Sequence, residues 1–211
     1  MRVVRDDPAD PDPGFAELYA SLPDATDLEP WLDWCRQSRG PVLYLGVGAG
    51  RLAVPLEASG VAMVGVDSHP EMLARLRSRA ALELVQERIE DLDLGRRFEL
   101  VMAPSNILYT RRRLAAAARH AGRRVAFELV NPHWLRAGAG GGVRLRAATD
   151  DRAEIEVDYE GGFTQLASVE LVWPDSVEEF LKSAGMELET MHGHEGGGMD
   201  DSPSFFVLAR R

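Results

Sequence analysis

Apolar residues in the first two thirds of the chain alternate between two spacings. Short, nearly continuous apolar runs are typical of buried strands, and the segments between them repeat apolar residues at helical spacing. The predicted strands cover 42–47, 61–66, 82–86, 98–103 and 123–130, and the predicted helices cover 51–59, 70–80 and 111–120. Strands that alternate with helices in this way favour right-handed crossovers and a mainly parallel sheet with helices on both faces.

The two ends of the chain have different patterns. Residues 1–14 are rich in Pro and Asp and are expected to be frayed, and two short helices follow, over 15–21 and from 27 to just before Gly40. A glycine-rich stretch over 137–142 is interpreted as a flexible linker. Beyond it, alternating apolar and polar residues predict antiparallel strands over 143–148, 153–159 and 163–173, then a helix over 175–184 and strands over 186–191 and 205–209.

These patterns predict one α/β domain over 1–211, with an N-terminal helical cap over 1–40. We expect a Rossmann-like, doubly wound, mainly parallel sheet with an antiparallel C-terminal strand and an inserted antiparallel region over 137–173. The inserted region is expected either to cover a binding site or to supply the face of a homodimer.

Charge and composition narrow the possible partners. The formal net charge is −10, whereas a nucleic-acid binder needs a basic surface, so we expect no nucleic-acid partner. The single cysteine, Cys35, lies in an apolar pattern and is expected to be buried, which fits a reducing compartment. No apolar run approaches the length of a membrane span and the N-terminus does not read as a signal peptide, so a cytoplasmic protein without membrane contact is expected.

A glycine loop between the first strand and the first helix of the alternating region carries the strongest chemical signal. Gly46-x-Gly48-x-Gly50 allows a tight turn and close approach of a ligand to the backbone. Arg51 breaks the dinucleotide pattern G-x-G-x-x-G, and the lysine of a phosphate-binding P-loop is absent. Asp67 ends the next strand, where a carboxylate can accept both hydroxyls of a ribose. A nucleoside with an amino-acid tail therefore fits better than NAD.

Simpler interpretations exist for the same residues. Glycines between a strand and a helix can serve the turn alone. Asp67 can be a cap of the helix that begins near Pro70. Both alternatives stay open when each residue is taken singly.

Several segments in order resemble the motifs of one family. VLYLGVGAGRLAVPLEASGVAMVGVDSHPEML is similar to the first two motifs of the class I S-adenosylmethionine-dependent methyltransferases. LVQERIEDLDL, FELVMAPSNILYT and VAFELVNP resemble the ends of the family's next three strands, and VEEFLKSAGMELETMHGHEGGGMDDSPSFFVLARR resembles its C-terminal helix and strand pair. The resemblance covers about 27–211 with gaps. It implies methyl transfer from S-adenosyl-L-methionine to oxygen or nitrogen of a small-molecule acceptor.

The resemblance also implies which residues bind the cofactor. The implied set is Tyr44, Gly46, Gly48, Gly50, Asp67, Ser68, His69, Ile89, Glu90, Asp91, Ala103 and Pro104. In this assignment the glycines pass under the methionine end and Asp67 binds the ribose. Asp91 holds the adenine amino group, and Ala103 with Pro104 lines the sulfonium end.

The acceptor side is assigned by position at the ends of the later strands. Ser105, Asn106, Asn131 and Trp134 are expected to contact the acceptor. Removal of a proton from an oxygen or a charged nitrogen calls for a general base.

His133, directly after the fifth strand, is the first candidate for that base, His192 with its neighbour His194 the second, and Tyr109 a further catalytic candidate. Glu128, inside the fifth strand, is an alternative that could point into the cleft. For each histidine a surface role is the competing interpretation.

One departure from the family pattern leaves the function open. Tyr44 stands where the family commonly has an acid that places the methionine amino group. A repurposed member of the fold, catalysing a cyclisation or rearrangement or binding a ligand without catalysis, is therefore the alternative function. His192, His194, Glu195, Asp200 and Asp201 supply metal-ligand types in a glycine-rich loop, but they lack a rigid spacing, so a polar loop without metal is expected. The sequence does not name the acceptor.

Overall fold

The computed structural model describes residues 2–7, 10–194, 199 and 201–211. The helices are α1 (Pro13–Ser21), α2 (Trp31–Arg36), α3 (Ala53–Ala58), α4 (Pro70–Arg77), α5 (Arg111–His120), α6 (Pro132–Arg136) and α7 (Val177–Lys182). The strands are β1 (Arg2–Arg5), β2 (Val42–Leu45), β3 (Met63–Asp67), β4 (Glu83–Gln86), β5 (Phe98–Ala103), β6 (Ala121–Val130), β7 (Val143–Ala148), β8 (Arg152–Tyr159), β9 (Phe163–Glu170), β10 (Glu187–Gly193) and β11 (Ser204–Arg210). Two 3-10 helices cover Ile89–Asp91 and Pro174–Ser176.

The main sheet of the described chain has the order β10-β11-β6-β5-β2-β3-β4. Its pairs from β6 through β4 are parallel, whereas β11 pairs antiparallel with both β6 and β10. The predicted fold class, a Rossmann-like, mainly parallel sheet with an antiparallel C-terminal strand, is confirmed. Strand order reverses at β2, which lies between β3 and β5, and in such sheets ligands bind beyond the carboxyl ends of the strands at this point.

Alternation along the strands builds a core on each face of the sheet. Leu43 and Leu45 of β2 pack in one cluster with residues of α5 and α7. Val42 and Tyr44, which point to the opposite face, pack in another with residues of α2 and α3. Because both faces are covered, these strands read as continuous apolar runs in the sequence.

A second sheet has the order β1-β9-β8-β7. Its antiparallel strands β7 to β9 match the alternating segments predicted from the sequence, although β9 ends at Glu170, before the predicted limit of 173. The short helix α6, which follows β6 directly, was not predicted.

The prediction of a frayed N-terminus is wrong for Arg2–Arg5. These residues form β1, which pairs in parallel with β9, and Val4 is only 1% exposed. Asp12 holds the following turn, since its carboxylate accepts hydrogen bonds from the backbone N–H groups of Arg5 at 3.0 Å and Gly14 at 2.8 Å. The described residues from 2 to 12 are called the N-terminal strap below; Met1, Pro8 and Ala9 lie outside the described residues.

Cys35 lies in the core, as predicted. It is 5% exposed, its Sγ lies 3.6 Å from Sδ of Met102, and burial, with the nearby charge of Glu29, raises the pKa of its thiol to about 12. Because the thiolate is the reactive form, we expect iodoacetamide at about pH 8 to leave Cys35 unmodified in the native protein and to label it in urea. Mass spectrometry of the intact chain measures both states, and rapid labelling of the native protein would contradict the buried position.

Candidate active site

A cavity of about 490 Å³ opens beyond the carboxyl ends of the central strands. Its floor is formed by the segments that follow β2, β3, β4 and β5, and by Glu128 near the end of β6. The N-terminal strap and α1 add Arg5, Asp12 and Phe15 to its lining. The strap therefore covers part of the open crevice of the parallel sheet.

The glycine loop lines this cavity with its first two glycines. Gly46 and Gly48 have φ values of 71° and 55°, in the left-handed region that favours glycine. The Gly48 N–H donates a hydrogen bond of 2.7 Å to Oδ2 of Asp67, which joins the loop to the end of β3. Gly50, at φ 91°, lies outside the lining, where an added Cβ would collide with the side chain of Leu76 in α4. The simpler interpretation, turn geometry and packing, thus describes the position of Gly50.

A Gly50→Ala substitution should destabilise the fold by about 2–4 kcal/mol, as the sum of left-handed backbone strain and overpacking. Gly60→Ala is the matched control, since Gly60 also has a positive φ of 87° but has no atom within 4 Å of an added Cβ. Urea unfolding of both variants measures the difference. Equal losses in the two variants would mean that contact with Leu76 has no effect.

Asp67 is a half-buried carboxylate at the centre of the site. Its Oδ1 accepts a hydrogen bond of 2.8 Å from the N–H of His69, and its Oδ2 accepts the one from Gly48. Burial raises the pKa of Asp67, and the two backbone hydrogen bonds oppose that rise. The N-cap position of α4 is His69, so Asp67 is not the cap of this helix, and its hydrogen bond from Gly48 ties it to the glycine loop.

His69 connects the cavity to the N-terminal strap. Its ring is 6% exposed, and Nε2 lies 3.0 Å from the carbonyl oxygen of Asp12, to which it donates in the matching tautomer. Its Nδ1 is buried and has no hydrogen-bond partner among the residues that the structure describes. A buried ring nitrogen beside a cavity is costly unless a ligand group completes it. Ser68 lines the cavity next to it.

An ion pair stabilises the part of the cavity wall that is formed by the segment after β4. Glu90 accepts a hydrogen bond of 2.9 Å from Nε of Arg113, and both side chains are largely buried. Burial alone would raise the pKa of Glu90, but the hydrogen bond from Arg113, a backbone hydrogen bond and the charges of Arg113 and Arg88 together outweigh it, and the pKa is lowered. Ile89 and Glu90 line the cavity, whereas the exposed Asp91 lies outside it and faces Arg112 at 3.3 Å.

The segment after β5 brings some of the predicted residues to the cavity. Pro104, Ser105 and Tyr109 line it, and the guanidinium of Arg113 lies 5.0 Å from the centre of the Tyr109 ring. Ala103 is fully buried in the core instead. Asn106 has a structural role, because its Oδ1 accepts a hydrogen bond of 3.0 Å from the Val130 N–H.

Four other predicted residues do not reach the cavity. Asn131 is fully buried at the N-cap of α6, where its side chain accepts from the His133 N–H and donates to the carbonyls of Met199 and Ser202. Trp134 packs against the second sheet. The exposed ring of His133 stacks edge-on against Trp173 at 5.0 Å.

The ring of His192 lies between those of Trp34 and Phe206. The two histidines named first as bases therefore point away from the site, because α6 and the strand alternation of β10 turn them elsewhere.

Further residues line the cavity. Glu128 and His194, both weighed as bases from the sequence, line it together with the strap residues Arg5, Asp6 and Asp12, which the sequence assignment left out. Strand alternation places Glu128 on the same face as Tyr44, a signal that was present in the sequence. The strap residues gave no local signal, because only pairing of β1 with the distant β9 brings them to the site.

Tyr44 lies in the cavity wall and is only 4% exposed. Burial raises the pKa of its phenol, and the charges of Glu128 and Asp67 raise it further, so the side chain is neutral at physiological pH. Tyr44 stands where the resemblance implies an acid, and its neutral phenol supplies no negative charge. The Glu128 carboxylate lies close enough for its charge to raise the pKa of Tyr44.

In the described part of the chain, no group of three or more His, Cys, Asp or Glu side chains is arranged to hold a metal ion. Glu195 and Asp200, named with the glycine-rich loop, lie outside the described residues. Within the same ranges, no helix has the length and apolar character needed to cross a membrane.

Comparison with known proteins assigns the class. Residues 42–126 match the family model described as a methyltransferase domain. No curated protein matches the chain. Among solved structures, the CcbJ methyltransferase from Streptomyces caelestis is 25% identical, with a TM-score of 0.62 over 97% of this chain and 92% of that chain.

Two further structures share the fold at lower identity. The sugar N-methyltransferase KedS8 from Streptoalloteichus is 21% identical, with a TM-score of 0.66 and 93% of each chain covered. CalS10, an amino pentose methyltransferase from Micromonospora echinaspora solved with bound S-adenosylmethionine, is 20% identical, with a TM-score of 0.61 over 85% of this chain and 88% of that chain. The chain thus has the fold of the class I S-adenosylmethionine-dependent methyltransferases, and residues 42–126 form a methyltransferase domain. The family prediction made from the sequence motifs is confirmed.

Proposed function

We propose that the protein transfers a methyl group from S-adenosylmethionine to the nitrogen of a small, positively charged amine. The observation that carries this proposal is the composition of the cavity. A glycine loop and Asp67 form one end of it, and carboxylates outnumber guanidinium groups along its wall.

The residues present fit the cofactor. Asp67 keeps lone pairs free after its two backbone hydrogen bonds and would accept the ribose hydroxyls. The unpaired Nδ1 of His69 fits a neighbouring polar group of the nucleoside. Ile89 would pack on the adenine, and Arg51, whose Nε donates to the carbonyl of Pro23, would pair with the carboxylate of the amino-acid tail.

When bound, S-adenosylmethionine supplies a methyl carbon whose bond to sulfur breaks as a bond to the acceptor nitrogen forms, with the electron pair passing to the sulfur. The chain's own contribution is to align the acceptor and to exclude water. The strap serves the second purpose, because Arg5, Asp6 and Asp12 line the cavity together with the glycine loop.

The charge of the wall supports an amine acceptor. Among the described lining residues, the carboxylates are Asp6, Asp7, Asp12, Asp27, Asp67, Glu87, Glu90 and Glu128, and the guanidinium groups are Arg5, Arg51, Arg88 and Arg113. An excess of negative charge in an enclosed cavity attracts cations and raises their local concentration. KedS8 is a sugar N-methyltransferase and CalS10 is an amino pentose methyltransferase, so both are named for acceptors that carry nitrogen. An amine acceptor for this chain is in line with them.

The test is a methyl-transfer assay on matched pairs of acceptors. Amino sugars and other small amines are incubated with S-adenosylmethionine and the protein beside the same compounds with a hydroxyl in place of the amino group. We expect methylated products from members of the amine set and none from their hydroxyl counterparts. Transfer confined to the hydroxyl compounds would refute the amine acceptor, and no transfer to any member of the panel would favour the repurposed, non-catalytic alternative.

A further inference from the structure

Three polar side chains from separate segments form a continuous chain of hydrogen bonds beside the cavity. Oε1 of Glu128, on β6, accepts a hydrogen bond of 2.5 Å from the hydroxyl of Ser204, at the start of β11. Nε2 of His194, directly after β10, lies 2.8 Å from the same hydroxyl oxygen. Oε2 of Glu128 accepts a further hydrogen bond of 2.9 Å from the Ser105 N–H.

These hydrogen-bonded side chains lead from the mostly buried carboxylate of Glu128 to the more exposed imidazole of His194. The Glu128 side chain is 20% exposed and that of His194 is 47% exposed, and both line the cavity. The imidazole is held in place, because the His194 N–H donates to Oγ of Ser202 at 2.8 Å and the ring packs edge-on against Phe206. Glu128 thus lies at the proposed acceptor side of the cavity, beside Ser105, and the His194 side chain is accessible to solvent.

The fold itself does not require these polar contacts. Ser204 and Glu128 lie on neighbouring strands that are joined by a regular backbone ladder, with Ser204 opposite Val130 and Phe206 opposite Glu128. Backbone hydrogen bonds therefore fix the strands whatever the side chains are. A half-enclosed carboxylate linked to an exposed imidazole through one hydroxyl is the arrangement that a proton path needs.

We propose that Glu128, Ser204 and His194 carry the proton of the acceptor amine from the cavity to solvent, an inference that rests on the proposed function. The substrate ammonium gives one proton to the Glu128 carboxylate, and its nitrogen lone pair becomes free. Once Glu128 is protonated, its carboxyl donates to Oγ of Ser204, and the Ser204 hydroxyl rotates from Glu128 to donate to Nε2 of His194, whose ring then carries its own proton on Nδ1. The carboxyl proton passes to Oγ as the hydroxyl proton passes to Nε2. The resulting imidazolium releases a proton to water, so protons and charge balance.

Glu128 has one competing role that the experiment must separate. Since Tyr44 is neutral, the Glu128 carboxylate could instead bind the ammonium of the cofactor's amino-acid tail. That role predicts weaker binding of S-adenosylhomocysteine when Glu128 is replaced by glutamine, and it requires neither Ser204 nor His194. The proton path predicts unchanged binding and a loss of turnover in all three variants.

The experiment compares Glu128→Gln, Ser204→Ala, Ser204→Thr and His194→Gln with wild type. Ser168→Ala is the matched control, because its hydroxyl lies in β9, exposed and bonded to Nε of Arg152. We expect Ser204→Ala and Glu128→Gln to lower kcat by about 10²-fold or more, in the range of general-base catalysis, with the affinity for S-adenosylhomocysteine unchanged by calorimetry. Ser204→Thr, which keeps the hydroxyl, should restore most of the rate.

A readout on the ligand-free protein tests the connection itself. The ¹⁵N shifts of the His194 ring report which nitrogen carries the proton, and they should change in Ser204→Ala and in Glu128→Gln but not in Ser168→Ala. A wild-type rate in Ser204→Ala, unchanged ¹⁵N shifts, or a loss of cofactor affinity in Glu128→Gln would overturn the proton path while leaving the methyltransferase proposal intact. Absence of turnover in the wild-type protein on every acceptor would instead overturn the proposed function and the path with it.

Discussion

Replacing Asp67 by alanine is expected to weaken the binding of S-adenosylhomocysteine by about 1–3 kcal/mol, which corresponds to about five- to 150-fold in the dissociation constant. The carboxylate is half-buried at the centre of the cavity, and its removal would leave the ribose hydroxyls without an acceptor. It would also free the backbone N–H groups of Gly48 and His69, which the carboxylate now holds. Calorimetric titration measures the affinity, and thermal unfolding of the same samples reports any loss of fold.

Asp91→Ala is the control for this prediction. Asp91 is assigned to the adenine by resemblance, yet its side chain is exposed outside the cavity and is paired with Arg88 and Arg112. We therefore expect an unchanged dissociation constant in Asp91→Ala. Equal losses in the two variants would restore the original assignment of Asp91, and an unchanged constant in Asp67→Ala would remove Asp67 from the cofactor site.

Val4→Asp should detach the N-terminal strap and open the cavity. Val4 is 1% exposed and packs with Phe15, Leu18 and Met72, so a carboxylate at this position would be buried without a partner, at a cost of several kcal/mol. The four-residue strand β1 has too few hydrogen bonds to offset that cost. If the strap stays closed in fewer than about a tenth of the molecules, the apparent affinity for the ligand falls by about tenfold or more.

The neighbouring residue supplies a closely matched control. Val3 lies on the opposite face of β1 and is 53% exposed, so Val3→Asp introduces the same charge without burying it. We expect Val3→Asp to bind S-adenosylhomocysteine as wild type does, and both variants to keep the circular dichroism spectrum of the main sheet. Full affinity in Val4→Asp would mean that the strap does not contribute to binding.

The sequence predicted the elements whose signal is local. Apolar runs and helical periodicity located β2 to β6 and α3 to α5, because each of these elements buries a face that its own residues define. β1 was missed, since two valines among charged residues become a strand only through pairing with β9. The short helix α6 was missed because its five residues carry too few apolar positions to show a period.

The residues of the site also divide into those with a local sequence signal and those without one. The loop from Gly46 and the residue Asp67 were found because a motif at one end of two adjacent strands encodes them. The proposed acceptor side was anticipated only in part, since Ser105 and Tyr109 line the cavity. His133 and His192 follow strand ends, but their rings turn to Trp173 and to Phe206. Glu128 could be anticipated from strand alternation, whereas the position of His194 depends on the packing of β11 between β6 and β10, which only the assembled sheet determines.

We expect this cavity to bind S-adenosylmethionine. Isothermal titration of the full chain with S-adenosylmethionine, and separately with S-adenosylhomocysteine, tests it most directly. We predict saturable binding of both ligands at one site per chain, lost or strongly weakened in Asp67→Ala and retained in Asp91→Ala. Folded wild-type protein that binds neither ligand at millimolar concentration would contradict it.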